Sequence, residues 1–388
     1  METRDVQGRV IALREAITRF SRVETETARR RIPAPVISAI VVNWNGKDYL
    51  AACLQALLGQ QPPPDELIVV DNHSDDGSRE YVSERFPSVR IIDSGSNDGP
   101  CRARNLGVAE AKYDLCLLVD NDVVLQTGAL RALRAAIDID ARTAMVQARS
   151  LCSDEPDRVH YDSADLHFLG TLVLHNWYRK LEEAPWPAGP VGAAIALCVL
   201  VRRRPYLDVG GFDQNLFILY EDNQLSYKLR MRGHLVRLAE GALCLHRGGT
   251  AGLSVRGSSS ASYSGRRTFL HSRNRWYVLL TCMRWRTLLL TLPVQLLYGA
   301  VYAGFGHARG HVRDWWAGKL ELVRLVPVAL RARKLVQRGR TVPDRELLVA
   351  APLTLNPGLA ETGGKGLLRR SLDGTFSVWW TCVRRLCG

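Results

Sequence analysis

Short apolar runs alternate with longer stretches of helical periodicity between residues 36 and 120. Four runs, at 36–42, 66–70, 89–92 and 115–119, are rich in Val, Ile and Leu, as buried strands are. The stretches between them are long enough for helices that connect parallel strands. This alternation predicts an α/β fold with an open, mostly parallel sheet and flanking helices on both faces. Ligands of such sheets bind beyond the carboxyl ends of the strands, so the residues there are the first candidates for chemistry.

The residues after the first two strands are polar. The first run leads into NWNG, which contains Asn43 and Asn45, and the second leads into DNHSDDGS, which begins with Asp71. A carboxylate at a strand end, close to a helix N-terminus, can accept hydrogen bonds from a ribose or a base edge. Asp71 would equally serve in a turn or in a helix cap with Glu80, and this alternative stays open.

Asp120 and Asp122 follow the fourth strand, with Asn121 between them. Two carboxylates one residue apart at the end of a buried strand can converge on one divalent cation, and their oxygen atoms suit Mg²⁺ or Mn²⁺. A cation held there neutralises the charge that develops on a diphosphate leaving group. An Asp-x-Asp triplet also occurs in solvated turns, so its position behind a buried strand is what favours the metal.

A glycine turn precedes this triplet and enters a predicted helix that carries Arg102, Arg104 and Asn105. A glycine backbone can approach a diphosphate closely, and arginine side chains can balance its charge. The three side chains are therefore candidates for binding a nucleotide donor. A surface helix with solvated arginines would give the same pattern.

Glu221 and Asp222 precede a helix predicted over residues 223–232. The helix dipole favours acids at this position, so the pair can simply cap the helix. However, Phe217 and Tyr220 come just before them and would partly exclude water, which makes a carboxylate a more competent general base. Asp222 is the better candidate of the pair.

Outside these motifs, His246, Asp213 and the cysteines are the side chains considered for binding a metal or a proton. His246 ends a later apolar run and is followed by a glycine pair, a position from which it can ligate a metal. Asp213 competes for the role of base, but after two glycines it is expected to shape its loop. The nine cysteines have no paired spacing, which predicts buried free thiols in a reducing compartment and no structural zinc.

The basic charge of the chain lies in its C-terminal third. The net charge is +13, and the residues from Arg266 onward contain 21 Lys and Arg against 6 Asp and Glu. Residues 287–306 are uncharged and long enough to span a bilayer core, although Pro293 makes a re-entrant or surface hairpin equally compatible. The segment 322–340 mixes apolar and basic residues, as helices on anionic lipid do. We expect a membrane surface and no nucleic acid.

Six segments, taken in order, resemble the family-2 glycosyltransferases with the A-type fold, the nucleotide-diphospho-sugar transferase fold. They are VVNWNG, VVDNHSDDGS, DND, GGFD, YEDNQLSYKLRMRG and LHRGG, and they cover about residues 36–249. They look most like the rhamnosyltransferase and galactofuranosyltransferase branch of bacterial cell-envelope assembly. The resemblance implies an inverting, metal-dependent enzyme of polysaccharide biosynthesis, of the hexosyltransferase class. Its donor would be a nucleotide diphosphate sugar, with rhamnose or a similar sugar expected, and its acceptor a lipid-linked saccharide.

The same resemblance implies roles for the candidate residues. Residues 102–105 stand where the family has a small glycine-rich loop, which leaves the donor sugar open. Residues 273–276, RNRW, match the signature of processive synthases poorly, so transfer of a single sugar is expected. Nucleotide-sugar binding would fall to Asn43, Asn45, Asp71, Arg102, Arg104, Asn105, Asp120 and Asn121; metal binding to Asp120, Asp122 and His246; and acceptor chemistry to Asp222 as general base with Glu221 beside it.

We expect three regions: an amphipathic N-terminal extension at 1–35, a catalytic domain at 36–265 and a basic, apolar, helical membrane-associated region at 266–388. The N-terminus lacks an apolar signal segment, which places the catalytic part at the cytoplasmic face of the plasma membrane. Two other functions fit the sequence. A nucleotidyltransferase would use the metal and phosphate ligands without needing Glu221 and Asp222, and a non-catalytic, membrane-bound scaffold would bind nucleotide sugar without turnover.

Overall fold

The computed structural model describes residues 36–248, 263–354 and 364–388. The N-terminal extension expected at 1–35 and most of the serine-rich stretch at 257–264 lie outside these ranges. All nine cysteines lie inside them, and none of the nine forms a disulfide. Eight are buried, in agreement with the expectation of free thiols.

The first four strands form the parallel half of the main sheet, in the spatial order β3-β2-β1-β4. Each lies within one residue of its predicted run. Because all four run the same way, Asn43, Asp71 and Asp120 end them at one edge of the sheet. The strands are β1 (Ile37–Asn43), β2 (Glu66–Asp71), β3 (Arg90–Asp93) and β4 (Leu115–Asp120), and the helices after the first three are α1 (Lys47–Leu58), α2 (Ser78–Arg85) and α3 (Pro100–Glu110).

The other half of this sheet is mixed, so the expected mostly parallel order holds only for the first four strands. The antiparallel strand β10 lies between β4 and β6, β11 is parallel to β6, and β5 closes the edge antiparallel to β11. These elements are β5 (Val123–Leu125), α4 (Ala129–Ile137), β6 (Thr143–Cys152), β7 (Val159–Tyr161), β10 (Cys198–Arg202), α5 (Arg203–Asp208), α6 (Glu221–Met231) and β11 (Leu235–His246).

A second, three-stranded sheet, five α-helices and three short 3-10 helices complete the described structure. The sheet joins β8 (Ala164–His167), β9 (Leu172–Leu174) and β12 (Leu348–Val349). One hydrophobic core contains residues from α6, from these strands and from the C-terminal helices, so the expected catalytic and membrane-associated regions pack as one unit. The helices are α7 (Gly265–Cys282), α8 (Trp285–Ala308), α9 (Val312–Gln337), α10 (Asp344–Leu347) and α11 (Gly364–Val383).

The uncharged run at 287–306 forms part of one continuous helix, α8, which passes through Pro293. A hairpin within this run, one of the two forms expected, is therefore wrong. In the described part of the chain, α8 is the one helix long and apolar enough to cross a membrane by length and composition, and 22% of its most apolar window is buried. The basic segment at 322–340 forms the second half of α9, which ends at Gln337.

Close packing fixes how the first helices sit on the sheet. A side chain at Gly107 of α3 would place its Cβ 2.4 Å from Ile40 Cγ2 of β1, so only glycine lets α3 lie this close to the sheet. Gly46 at the start of α1 is constrained in the same way, because its Cβ would lie 1.9 Å from Asn121 Nδ2. Gly46 lets the N-terminus of α1 lie at the edge where the strands end, and Gly107 lets α3 pack closely on the sheet.

Candidate active site

Asp120, Asp122 and His246 form a compact group at the edge where β4 and β11 end. One potential ligand atom from each lies within 4.8 Å of the others. The register of β5 and β11 pairs His246 with Val123, which brings the imidazole next to the adjacent Asp122. His246 Nε2 lies 3.4 Å from Asp122 Oδ1. The structure thus gathers the three predicted metal ligands, although their metal-binding role stays a prediction.

The two carboxylates of this group have different surroundings. Burial acts to raise the pKa of Asp122, but hydrogen bonds from His246 and from the Gly248 N–H outweigh it and hold this pKa below its usual range. Burial raises the pKa of Asp120, against the opposing charge of Arg104, and the nearby Asp122 raises it further. A bound cation would relieve the repulsion between the two carboxylates. This donor set, two carboxylates and one imidazole, fits a divalent cation such as Mn²⁺ or Mg²⁺.

A second histidine, His160, contacts the ring of His246. His160 Nδ1 lies 2.9 Å from His246 Nδ1, and the two rings are stacked with centroids 4.8 Å apart. His160 is buried. A hydrogen bond at Nδ1 fixes the ring of His246 and leaves Nε2 directed toward Asp122, as partners of ligating histidines do. No motif in the sequence pointed to His160.

The candidate nucleoside loop is held together by its own polar side chains. Asn43 Nδ2 donates to Asp71 Oδ2 at 3.1 Å, and Asp71 Oδ1 accepts from the Ser74 N–H at 2.9 Å. Asn43 and Asp71 are both fully buried. Asn121 Nδ2 donates to Asn43 Oδ1 at 2.8 Å, which links this loop to the metal group. Asp71 therefore orders the loop in the structure, and its predicted contact with the nucleoside stays a prediction.

Asn45 is an exposed member of this loop. It adopts a positive φ of 46°, its N–H donates to Ser74 Oγ at 2.9 Å, and its Oδ1 accepts from the Asp75 N–H at 3.0 Å. These contacts join the loop after β1 to the loop after β2. Its binding role also stays a prediction.

Arg104 connects the metal group to the acids of α6. Its Nη2 donates to Asp120 Oδ1 at 2.6 Å, and its Nη1 lies 3.8 Å from Glu221 Oε1. The guanidinium carbon lies 5.2 Å from the centroid of the Phe212 ring. Arg104 is buried, so its charge acts in a region of low dielectric and lowers the pKa of every carboxyl around it.

Arg102 and Asn105 make different contacts from Arg104. Arg102 pairs with Asp98 at the surface and donates to Ser96 Oγ at 2.8 Å. Asn105 donates to the Phe212 carbonyl at 2.8 Å, and its Oδ1 accepts from the Phe212 N–H and the Tyr206 hydroxyl. Asn105 thus ties α3 to the loop after α5. The donor-binding roles predicted for both residues stay predictions.

Glu221 and Asp222 begin α6, two residues earlier than the sequence suggested. Asp222 Oδ1 accepts a hydrogen bond from the Ala196 N–H at 3.1 Å. Glu221 is buried, and its Oε2 has no hydrogen-bond partner. Burial raises the pKa of both carboxyls, and the charge of Asp222 raises that of Glu221 further. Desolvated carboxylates of this kind are more basic than carboxylates in water.

The segment before this pair has an unusual backbone. Phe217, Leu219 and Tyr220 all have positive φ, between 62° and 75°, a conformation that side chains other than glycine rarely adopt. Asn274 of α7 holds the segment: its buried amide group donates to the carbonyls of residues 216, 218 and 219 at 2.7 to 3.0 Å. No motif pointed to this role for Asn274.

Asp213, the competing candidate for the base, accepts hydrogen bonds from its own loop and from two neighbouring helices. It accepts from the Asn215 N–H at 3.1 Å, from the Tyr277 hydroxyl at 2.9 Å and from Gln224 Nε2 at 3.3 Å. The expectation that Asp213 shapes its loop is confirmed.

Glu221 and Asp222 open into a cavity of ≈ 830 Å³. It lies between β7, β9 and the C-terminal helices, and its lining includes residues of α6, α7, α8 and α11. Its size matches sites that hold large ligands. A nucleophile bound there would meet the two carboxylates.

The family model for glycosyl transferase family 2 matches residues 38–210. These residues include the ends of β1, β2 and β4, and therefore Asn43, Asp71, Asp120 and Asp122. The chain contains a glycosyl transferase family 2 domain. The protein is a glycosyltransferase, and the family expected from its motifs is confirmed.

Relatives of this glycosyltransferase are distant. It is 26% identical over 237 residues to the N-acetylglucosaminyl-diphospho-decaprenol L-rhamnosyltransferase of Mycobacterium tuberculosis, covering 54% of this chain and 76% of the relative. It is 27% identical over 219 residues to N-acetylgalactosaminyltransferase 6 of Drosophila melanogaster, covering 51% of this chain and 32% of that protein.

The fold of the glycosyltransferase is also found among solved structures. The crystal structure of GalNAc-T7 with UDP, GalNAc and Mn2+ superposes with a TM-score of 0.52 at 14% identity, covering 76% of this chain and 57% of that chain. This likeness concerns the fold, and the expected A-type glycosyltransferase fold is confirmed.

Proposed function

We propose that this glycosyltransferase moves a single sugar, with inversion, from a nucleotide diphosphate sugar to a saccharide or lipid acceptor held at a membrane. One observation carries the proposal. Arg104 lies between the group of Asp120, Asp122 and His246 and the desolvated pair of Glu221 and Asp222, 2.6 Å from Asp120 and 3.8 Å from Glu221. A site for a leaving diphosphate and a site for a base therefore adjoin.

The donor would bind along the edge where the parallel strands end. The loop after β1, ordered by Asn43 and Asp71, would hold the nucleoside, and Asn121 would join it to the diphosphate site. Asp120, Asp122 and His246 would hold the cation. When bound, the cation would offset the negative charge of the diphosphate, which otherwise faces two carboxylates.

Asp222 would act as the general base. It would accept the proton of the acceptor hydroxyl as that oxygen bonds to the anomeric carbon and the bond from that carbon to the diphosphate breaks. The Ala196 N–H fixes one carboxylate oxygen, Oδ1. Glu221 lies beside Asp222, and its elevated pKa favours the protonated form, which can donate a hydrogen bond to the acceptor.

The C-terminal helices would bring the enzyme to the membrane. Several apolar side chains on α8 and α9 are exposed, including Leu289 at 67% and Val323 at 67%, and α8 is long enough to cross a bilayer. Basic residues accompany them in this part of the chain. This supports the cytoplasmic face of the plasma membrane, where anionic lipids attract basic surfaces.

The first donor to test is a nucleotide-diphospho-rhamnose. The Mycobacterium tuberculosis relative is named an L-rhamnosyltransferase that acts on N-acetylglucosaminyl-diphospho-decaprenol. That name supports rhamnose, or a similar sugar, as donor group and a lipid-diphosphate-linked sugar as acceptor, in cell-envelope polysaccharide synthesis.

A donor panel tests the proposed function. The full-length protein in detergent is incubated with individual nucleotide sugars and with Mn²⁺, Mg²⁺ or chelator, and the released nucleotide is identified. We expect release of a nucleoside diphosphate from one donor, in the presence of cation. Release of pyrophosphate would instead support a nucleotidyltransferase. Donor binding without turnover across acceptors would support a non-catalytic scaffold.

A further inference from the structure

The cavity beside Asp222 extends well beyond the space that one sugar needs. Its lining runs from Glu221 and Asp222 past Tyr220, along one face of α8 and across to α11. On α8 the lining residues are Tyr298, Val301, Tyr302, Phe305 and Ala308, which share one side of the helix by their spacing. They extend over about 15 Å of helix.

The far wall of the cavity is mainly apolar, although Arg369 and Asp373 of α11 also line it. Leu368, Leu372 and Phe376 of α11 follow each other at intervals of four and face the cavity together with the α8 residues. Phe376 packs against Tyr298 with ring centroids 6.4 Å apart. Against the apolar side chains of α8 and α11, a saccharide would leave hydroxyl groups unpaired, which is costly, whereas a hydrocarbon chain would gain from burial.

This apolar end is open to the surface. Val301 and Leu368 line the cavity and are nevertheless 42% and 61% exposed. The opening therefore lies between α11 and α8, and α8 is the helix that meets the length and composition of a membrane span. A lipid chain could enter from the bilayer without crossing water.

A cationic side chain lies between the two ends. Arg267, in the first turn of α7, lines the cavity, and its guanidinium carbon lies 5.6 Å from the centroid of the Tyr263 ring. Tyr263 in turn hydrogen-bonds Tyr302 of α8 at 2.5 Å. Toward the other end, Tyr161 and Tyr220 line the cavity near Asp222. Burial raises the pKa of both tyrosines, and the charge of Arg267 opposes this rise.

We propose that this cavity is the binding site for a lipid diphosphate, the carrier of the acceptor sugar. Its hydrocarbon chain would lie between α8 and α11, its phosphates beside Arg267, and its sugar hydroxyl at Asp222. The order of groups along the cavity, carboxylates, then a cation, then mainly apolar walls that open at a candidate membrane helix, matches the order of sugar, diphosphate and lipid. This inference rests on the proposed function for the role of Asp222 but adds the lipid site.

Farnesyl diphosphate serves as the probe, titrated by calorimetry into the full-length protein in detergent with chelator present. The chelator prevents binding of the diphosphate through a cation at Asp120 and Asp122. Val301→Trp should fill the apolar end and weaken binding about 10-fold or more, an energy of about 1.4 kcal/mol. The control is Val378→Trp, an equal change on α11 at a side chain that is 66% exposed and outside the cavity lining.

Arg267→Gln tests the phosphate contact. We expect it to weaken farnesyl diphosphate about 10-fold, in keeping with the loss of a charge-assisted hydrogen bond, and to change farnesol binding little. Arg267→Lys should restore part of the affinity. The exposed neighbour Arg266 provides the matched control, Arg266→Gln.

Equal affinity of farnesyl diphosphate for the parent, Val301→Trp and Arg267→Gln proteins would overturn the inference. So would inorganic pyrophosphate binding as tightly as farnesyl diphosphate, because the hydrocarbon chain would then contribute nothing. Donor hydrolysis in the nucleotide-sugar panel is measured on the same variants. If the donor is hydrolysed but the probe does not bind in the cavity, the proposed function stands and the lipid site fails. If the probe binds as expected but no donor is hydrolysed, the lipid site stands and the proposed function fails.

Discussion

Arg104 of α3 donates a hydrogen bond of 2.6 Å to the Asp120 carboxylate at the end of β4. The same guanidinium lowers the pKa of Glu221 and of Asp222. It therefore opposes the rise in pKa that burial causes in these carboxyls. This single buried cation sets the charge state of both halves of the site.

Arg104→Gln should move the acid limb of the pH–rate profile upward. Without the cation, the pKa of the base rises, so the base is protonated over more of the pH range and transfer at neutral pH falls. We expect a shift of about one pH unit or more, equivalent to about 1.4 kcal/mol, with activity partly recovered at higher pH. Arg131→Gln, at an exposed position on α4, is the control. An unshifted profile with a uniformly lower rate would contradict the electrostatic role.

Asp222→Asn tests the base directly. The amide keeps the size of the side chain and an oxygen for the Ala196 N–H but cannot take a proton. Donor binding should persist, and sugar transfer with saturating acceptor should fall by roughly 10²-fold or more. Asp208→Asn, at a surface side chain 59% exposed, is the matched control. Transfer near the parent rate would move the role of base to Glu221.

The edge of the sheet was predictable because its signals are local. Polar residues followed each predicted strand, and parallel pairing then had to place Asn43, Asp71 and Asp120 together. His246 lies far from them in sequence, so only the resemblance to the family suggested that it joins Asp122. The structure brings the two within 3.4 Å.

The acceptor side was less predictable because its contacts join distant segments. Asn274 orders residues 216–219 across more than 50 positions of chain, and no motif marks a buried amide that binds carbonyls. The mixed half of the sheet was missed for a similar reason, since the direction of β10 depends on a long connection rather than on its own residues. The apolar cavity requires α8 and α11 to be placed in space, which periodicity alone does not give.

Asp122→Ala should abolish cation-dependent donor binding. Asp122 is one of the two carboxylates of the metal group and the partner of His246, so its removal weakens the affinity for the cation. The donor then binds no better with Mn²⁺ or Mg²⁺ than in chelator. Calorimetric titration of the donor with and without cation measures this, and circular dichroism confirms that the fold persists. Donor affinity of the parent protein that does not change in chelator would contradict the metal site.

The exposed face of α8 should determine membrane association. Leu289→Asp with Leu296→Asp places two charges on side chains that are 67% and 58% exposed, at a cost in a bilayer of about 2.5–3.5 kcal/mol each at the centre. Sedimentation with vesicles of neutral and anionic phospholipids should fall several-fold. Ile139→Asp, also 66% exposed but after α4, is the control and should sediment as the parent does. Equal loss in both variants would argue against a specific role for α8.

Glu221→Gln should stabilise the protein, and increasingly so as the pH rises. The pKa of Glu221 is raised in the folded state by burial and by the charge of Asp222, so the folded protein holds this proton more tightly than the unfolded chain does. As the pH rises above the ordinary range of a glutamate, the unfolded state ionises first, and the folded state loses stability relative to it. Glutamine carries no charge and avoids this loss. Arg104 loses a partner at 3.8 Å but keeps its hydrogen bond to Asp120.

The free energy of unfolding of Glu221→Gln should therefore match that of the parent near pH 4 and exceed it by about 1 kcal/mol or more above the raised pKa, where one pKa unit is worth about 1.4 kcal/mol. Thermal melts at a series of pH values measure the difference. Glu182→Gln, at a side chain that is 78% exposed, should leave the melting temperature nearly unchanged throughout. A difference between Glu221→Gln and the parent that is constant with pH would point to packing instead of charge. A lower melting temperature at alkaline pH would mean that the pair with Arg104 outweighs the desolvation of Glu221.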